Sequence, residues 1–400
     1  MQTGAQFQCE IEKVAFGGDG LARVNGEVVF LPGTLPGEKL IGEVVSEKKN
    51  FSRGRVVRFG VRSPHRIEPA CPAFGRCPGC CYLHCDYPGE IELKSAQLSD
   101  LLAQAGIVPG EGVLLPAAAP EPPLGYRNKI VFHTHKVGGR TLLGYVGADN
   151  RTVTDLDDCP LAHPEISAEI ARLRGEKSFL HSLHEGMQLT LRRTDYNGVV
   201  FWRNRPERNA TWLRETVPFG RLSVPRGSFF QVNPAGCAVL VERFRELLEE
   251  LRPRRVIDLY AGVGLFGCCA AACGVGDILA VESDEAAAEA ARYNLKSFGI
   301  ADPAVIAGDA AEALRELDAE AAAGTLLMVD PPRTGLSSQA VRALLAGGPA
   351  GLVYISCNPA TWVRDANRLA GGGFVLHRLQ LVNMFPRTGH FELFSFWSRT

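Results

Sequence analysis

Apolar and polar positions alternate through the N-terminal stretch in "FQCEIEKVAF", "GLARVNGEVVFL", "EKLIGEVVSEKK" and "SRGRVVRFG", each run broken by glycine. A period of two marks half-buried strands, and four or five of them in so few residues predict a small closed barrel. β-type runs return in "KIVFHTHK", "RTLLGYVG", "GMQLTLRRT" and "GVVFWRN", with one helical stretch near Pro164–Leu173. They predict an irregular, β-rich central unit. From about residue 232 the period changes. "AGCAVLVERFRELLEEL" repeats its apolar positions at helical spacing. The apolar runs "RVIDLY", "DILAVES", "TLLMVD" and "GLVYIS" follow, separated by Ala-rich helical stretches. Buried strands alternating with helices predict a parallel sheet covered on both faces. "VLHRLQLVNMF" and "HFELFSFWSR", joined by "PRTG", predict a closing hairpin. The expected fold is α/β, with domains at 1–60, 61–225 and 226–400.

A chain of 400 residues exceeds one ordinary core, which agrees with that division. Hydrophobic residues at 46% and charged ones at 22% are ordinary for a globular chain. "MQTGAQFQCEIEKVAF" has no basic-then-apolar leader, and no apolar stretch is long and charge-free enough to span a bilayer. The expectation is a cytoplasmic protein with no membrane partner. Its twelve cysteines are then not a disulfide framework, because that compartment keeps thiols reduced. Cys71, Cys77, Cys80, Cys81 and Cys85 form one knot, and Cys268, Cys269 and Cys273 lie on an Ala-rich stretch. The net charge of −1 makes no global case for a nucleic-acid partner. Locally, Lys48, Lys49, Arg53, Arg55, Arg58, Arg62 and Arg66 follow one another with no intervening acid, although such a run is ordinarily a solvated face.

"VIDLYAGVGLFG" sets a strand directly before a glycine-rich turn, and Gly262, Gly264 and Gly267 fit G-x-G-x-x-G. Glycines let the backbone turn sharply and approach a ligand at a helix N-terminus. Glu282 lies twenty residues past Gly262 at the end of the next strand, where a carboxylate accepts from ribose hydroxyls. An NAD site fits this pattern. Asp258, four residues before Gly262, resembles instead the D-x-x-x-G-x-G loop of S-adenosylmethionine methyltransferases. Asp309 and Asp330 end the next two predicted strands, on the edge where open parallel sheets bind ligands. "DPP" is similar to a signature of amine methyltransferases, with Arg333 where their aromatic residue belongs.

Cys357, in "YISCNPATW", follows the next strand and falls on the same edge. A cysteine is often a small buried hydrophobe, but a thiol at a carboxyl strand end beside an Asn-Pro turn points to a nucleophile. Carbon 5 of uracil has a use for one: a thiolate adding to carbon 6 makes an enolate reactive enough to take a methyl group. A base must then remove the carbon 5 proton, and Glu392 is a candidate. An edge-strand glutamate facing water is the bland alternative.

"SFFQVNP", "DLYAGVGLFG", "DPPRTGL", "YISCNPATWVRD" and "MFPRTGHFE" occur in the order found in the RNA uracil-5-methyltransferase family, which the chain resembles over its whole length. The resemblance implies a class I (Rossmann-like) methyltransferase domain with Cys357 as nucleophile and Glu392 as proton acceptor. It also implies Gln231, Tyr260, Glu282, Asp309 and Asp330 as S-adenosylmethionine contacts. Leu265 departs from the polar residue some members carry in that loop.

Cys71-x5-Cys77-x2-Cys80 has metal-ligand character, with Cys159 in "DDCPL" as a fourth thiol. Zinc is the usual occupant of C-x2-C alone, and iron–sulfur clusters also take four thiolates, one of them distant. In the family, "CPAFGRCPGC" with a distant "CP" resembles the ligand set of a [4Fe-4S] cluster, which leaves Cys81 and Cys85 without a part. "GGDGLARVNGEVVFLPGTLPGE" resembles a TRAM domain, an RNA-binding barrel. With it the basic run, interleaved by Phe51 and Phe59, suits unpaired bases. Arg192, Arg193, Arg203, Arg205 and Arg208 offer phosphate contacts. The expected partner is RNA, 23S rRNA before tRNA, with the target uridine flipped out and the enzyme a monomer. Three alternatives fit less. A tRNA methylthiotransferase needs C-x3-C-x2-C, a cytosine-5 methyltransferase of RNA needs a two-cysteine pattern, and a non-catalytic RNA-binding relative has no use for Cys357 and Glu392.

Overall fold

The computed structural model describes residues 2–207, 210–315, 324–347 and 349–399. Strands Gln6–Glu10, Lys13–Val14, Asp19–Val24, Glu27–Pro32, Lys39–Glu47 and Ser52–Val61 form one six-stranded sheet. Its two end strands, Gln6–Glu10 and Lys13–Val14, belong to one continuous segment that changes ladders between them. Ile11 N donates to Glu38 O and Glu12 N to Leu21 O, both at 2.9 Å. The sheet therefore closes into a barrel on that segment. Phe7, Ile11, Ala22, Val29, Leu31, Leu40 and Val44 fill it. Gly42 is required there, because a Cβ would stand 2.5 Å from the Phe7 ring.

The central unit is a five-stranded antiparallel sheet in the order Gly198–Arg203, Gln188–Thr194, Lys129–Val137, Arg140–Val146, Val153–Asp155. The helix Pro164–Gly175 buries Ile166, Ile170 and Leu173 in the same core cluster as this sheet's inner residues. One long helix, Tyr87–Gln104, has no counterpart among the elements expected from sequence. Asp86 caps it by accepting from Gly89 N at 2.8 Å. Its buried positions include Glu90, Lys94 and Gln97 beside Leu98 and Leu102. Charges on the inner face erase the apolar period from which a helix is read.

From residue 234 onward the expected alternation is present. Seven strands order as Ala304–Ala307, Asp277–Glu282, Arg255–Leu259, Thr325–Val329, Gly351–Ser356, Glu392–Arg399, Phe374–Val382. The first five are parallel, and Glu392–Arg399 runs against both neighbours. The strand order reverses beside Arg255–Leu259, which opens a crevice at the carboxyl edge. "PRTG" is not a tight turn: residues 383–391 join the last two strands as a longer loop. Among the described residues no helix is long and apolar enough to cross a membrane.

Candidate active site

The glycine loop leaves the strand Arg255–Leu259 through Tyr260, whose φ of 60° is left-handed for a non-glycine residue. Such strain persists only where the surroundings impose it. Gly262 N donates to Glu282 Oε2 at 2.8 Å, so the acid at the end of the next strand braces the loop it was expected to serve. Its other oxygen accepts from Asp284 N at 2.8 Å. Asp258, 1% exposed, accepts from Gly267 N at 2.8 Å. Burial first, then the Asp330 and Glu282 carboxyls, pushes Asp258 up to about 7. Asp258 is thus a buttress under the helix Leu265–Ala272 and not a ligand group. Asn294, which sequence reasoning missed, donates to Val263 O at 2.9 Å and accepts from Ser223 N at 2.8 Å, pinning the loop from the far side. Asp309 is exposed at the end of Ala304–Ala307, where it accepts from Ala311 N at 2.8 Å. Gln231 is buried, and its backbone carbonyl accepts from Asn128 Nδ2 at 3.4 Å. Asn233 then caps the helix Pro234–Leu251 and donates to Met384 O at 2.9 Å.

Cys357 and Glu392 meet through register. In the antiparallel pair, Ile355 faces Phe394 and Ser356 faces Leu393, so the next step of the ladder sets Cys357 opposite Glu392. Glu392, the candidate base, is buried and does not face water, and its Oε2 has no hydrogen-bond partner among the described residues. Burial, with Asp330 adding to it, holds the Glu392 carboxyl well above the usual range, and Arg333 opposes this. Burial raises Asp330 to about 7. Cys357 is half-buried, and its thiol is pushed up to about 11 by burial and by the Glu392 and Asp330 carboxyls, against the Arg333 guanidinium. The group at this edge is therefore a thiol, two carboxyls and one cation. Asn358 caps the helix Pro359–Gly371 through Ala360 N at 3.2 Å and donates to Arg333 O at 3.0 Å. The buried Asp365 accepts from Leu336 N at 2.9 Å and from Tyr354 Oη at 3.0 Å. "DPPRTGL" is thereby clamped to "YISCNPATWVRD", a link that no local pattern announces.

Cys71, Cys77, Cys80 and Cys159 line one cavity of about 240 Å³, with Phe74, Arg127 and Tyr145. Among the described residues no group of three or more His, Cys, Asp or Glu is disposed to hold a metal ion. Burial raises Cys77 and Cys80, and proximity to Cys159 raises both further. Four thiols ionised together in this cavity would need a compensating cationic group.

The basic face divides. Arg53 pairs with Asp19 at 3.1 Å, Arg55 with Glu43 at 3.0 Å, and Arg66 with Glu38 at 2.7 Å. Lys48, Lys49, Arg58 and Arg62 are exposed, with no carboxylate partner among the described residues. Phe51 packs edge-on against Phe30, and Arg66 lies 4.4 Å over Phe59. Arg192 corrects the expectation of a phosphate contact: it is 0% exposed and pairs with Glu215 at 2.7 Å. Arg193 is engaged by Glu165 and Asp195, and Arg203 donates to Ser182 Oγ at 2.8 Å. Arg205 is exposed beside a groove of about 630 Å³ that Lys129, Trp202, Trp212 and Arg226 also line. Arg208 lies outside the described residues.

Residues 221–400 match the family model described as tRNA (Uracil-5-)-methyltransferase, and residues 2–57 match the TRAM domain. The chain is 32% identical to the 23S rRNA (uracil(1939)-C(5))-methyltransferase RlmD of Acidithiobacillus ferrooxidans, over 98% of this chain and 97% of the relative. It is 27% identical to an uncharacterized RNA methyltransferase of Caldanaerobacter subterraneus, over 98% of each. A crystal structure of Pyrococcus abyssi tRNA (uracil-54, C5)-methyltransferase in complex with S-adenosyl-L-homocysteine superposes with a TM-score of 0.73. It covers 98% of this chain and 100% of that one at 24% identity, and so shares the fold.

Proposed function

The chain belongs to the family of S-adenosylmethionine-dependent RNA (uracil-5-)-methyltransferases, and from that premise we propose that Cys357 and Glu392 methylate one uridine of 23S rRNA in the cytoplasm, the enzyme acting as a monomer. The observation that carries this reading is that the strand register brings a half-buried thiol, one residue past its strand, next to a buried carboxyl whose Oε2 has no hydrogen-bond partner among the described residues. The Cys357 thiol loses its proton to solvent water and its thiolate adds to carbon 6, which makes an enolate and turns carbon 5 into a nucleophile. S-adenosylmethionine supplies an electrophilic methyl group on a cationic sulfonium. Carbon 5 takes that methyl as the carbon–sulfur bond of the sulfonium breaks and S-adenosylhomocysteine leaves, so carbon 5 then bears both hydrogen and methyl. Glu392 removes that hydrogen as a proton, and the returning enolate expels the Cys357 thiolate. Arg333 is the cation beside them that favours thiolate and carboxylate. A donor's positive charge at this edge acts in the same direction, so Glu392 becomes a base in the loaded site.

Gln231, Tyr260, Glu282, Asp309 and Asp330 are the proposed donor contacts, around the loop braced by Asp258. Cys71, Cys77, Cys80 and Cys159 are the proposed ligands of a [4Fe-4S] cluster, which would cross-link residues 71–80 to the loop at 159. The free cations of the barrel and the groove at Trp202 suit RNA backbone and unpaired bases, with the target uridine flipped out of any stack. The name of the 32%-identical relative favours 23S rRNA over tRNA.

RNA carrying 5-fluorouridine tests the chemistry, because fluorine cannot leave as a proton. With S-adenosylmethionine the enzyme should form a covalent adduct that Cys357→Ala abolishes. No adduct with the wild type, or an equal one with Cys357→Ala, refutes the mechanism. Transcripts of 23S rRNA and tRNA compared in the same assay decide the substrate.

A further inference from the structure

The helix Tyr87–Gln104 buries Glu90, Lys94 and Gln97 at successive turns of one face. Charged side chains this deep need every polar partner supplied, and nearly all of theirs come from the loop 383–391 that leads into Glu392. Lys94, 0% exposed, donates to Glu90 Oε1 at 2.8 Å, Asn383 Oδ1 at 2.7 Å, His390 O at 3.1 Å and Phe385 O at 3.3 Å. Glu90 accepts from Asn383 Nδ2 at 3.0 Å and from Arg387 N at 2.9 and 3.0 Å. Arg387, with a left-handed φ of 69°, donates through Nη1 to Cys85 O at 2.8 Å.

Three other parts of the molecule grip the same loop. The cysteine knot does so directly past its third ligand: Cys81 N and Tyr82 N donate to Arg387 O at 3.0 and 3.1 Å. Tyr126, next to the cavity-lining Arg127, donates from its hydroxyl to Pro386 O at 3.0 Å. The barrel docks through its tip. Phe16 meets Phe391 edge-on at 5.7 Å, and a Cβ on Gly389 would stand 2.9 Å from Gly17 O. Gln97 donates to Ala15 O at 3.1 Å and to Tyr82 Oη at 2.6 Å, which joins helix, barrel and knot.

We propose that Lys94 is a positioning residue for proton abstraction: its clamp on the carbonyls of Phe385 and His390 sets where Glu392 enters the site, and through it the cysteine knot and the barrel act on that step. Cys81 and Cys85 thereby acquire a part, as backbone partners of Arg387. The inference rests on Glu392 being the base. Nothing in the clamp touches Cys357, so adduct formation is spared and adduct resolution is slowed.

The test separates the two steps. Formation is timed with 5-fluorouridine RNA, and resolution is followed as a methylated, denaturant-resistant adduct on ordinary RNA. Lys94→Met should form adduct within about threefold of the wild-type rate and resolve it about tenfold or more slowly. Tyr126→Phe loses one hydroxyl and keeps the ring, so it should fold and resolve the adduct about two- to fivefold more slowly. Equal slowing of both steps, or unchanged resolution, overturns the inference. If Lys94→Met does not fold, Tyr126→Phe decides on the same criteria. Glu392→Gln run alongside assigns any failure. If it accumulates no adduct, the base itself is misassigned and the inference falls with it. If it does while neither clamp variant does, only the positioning inference falls.

Discussion

Asp258→Asn should stabilise the glycine-loop region at alkaline pH and leave it unchanged in acid. The carboxyl is buried under the loop, and among the described residues it accepts from Gly267 N at 2.8 Å. Burial, with Asp330 and Glu282 nearby, moves it from 3.8 to about 7. Below both values it is protonated in folded and unfolded chains alike and costs nothing. As pH rises through the window between them the unfolded chain ionises first, so stability is lost until the folded carboxyl ionises too. The full cost, for a group this deeply buried, is about 4 kcal/mol. Asparagine cannot ionise and still offers Gly267 an acceptor oxygen. The difference between variant and wild type should therefore grow by about 3 kcal/mol, roughly a hundredfold in protection, from pH 5 to pH 8. Amide hydrogen exchange of peptides within residues 255–272, compared at matched pH, reads this directly. A difference that is the same at both pH values would refute the reasoning.

Cys357, pushed up to about 11, should be alkylated by iodoacetamide about tenfold faster for each pH unit between roughly 7 and 10; a plateau below pH 9 contradicts the resting thiol. Arg192→Met leaves Glu215 buried without its cation and should cost about 3–5 kcal/mol in urea unfolding, with no change in the salt dependence of RNA binding. Arg58→Ala should do the reverse, with stability within about 0.5 kcal/mol and a salt slope lower by about one; a slope change with Arg192→Met instead restores it as a phosphate contact. Gly264→Ala should weaken S-adenosylhomocysteine binding more than Gly262→Ala, by calorimetry. Both have left-handed φ, but only at Gly264 does a Cβ meet backbone, 3.3 Å from Ala291 Cα. Equal losses, or the opposite order, would show that the loop is not held from the Ala291 side.

The central strands Arg255–Leu259, Thr325–Val329 and Gly351–Ser356 were legible because they are buried on both faces and read as unbroken apolar runs between helices. Gly262, Glu282, Asp330 and Cys357 could be placed on one edge for the same reason, since topology alone brings carboxyl strand ends together. The helix Tyr87–Gln104 was not legible, because its buried face carries Glu90, Lys94 and Gln97, which look like a solvated surface until the loop 383–391 is laid on them. Arg192 misled for the matching reason. It lies on a β-type run whose inward face is normally apolar, and Glu215, the acid that neutralises it, is on another strand.

Local chemistry belongs to the sequence: the glycine turn, the thiol on an Asn-Pro cap, four spaced cysteines, and a barrel in period two. Each depends on neighbours a few residues away, so each survives in a string of letters. Register and burial belong to the tertiary structure. The ladder between Gly351–Ser356 and Glu392–Arg399, with Phe374–Val382 covering the other side, makes Glu392 a buried carboxyl beside Cys357, and shifting it by one residue would face Glu392 the other way. The environment of Cys357, Glu392 and Lys94 depends on which distant groups share their low-dielectric surroundings, and only folding decides that.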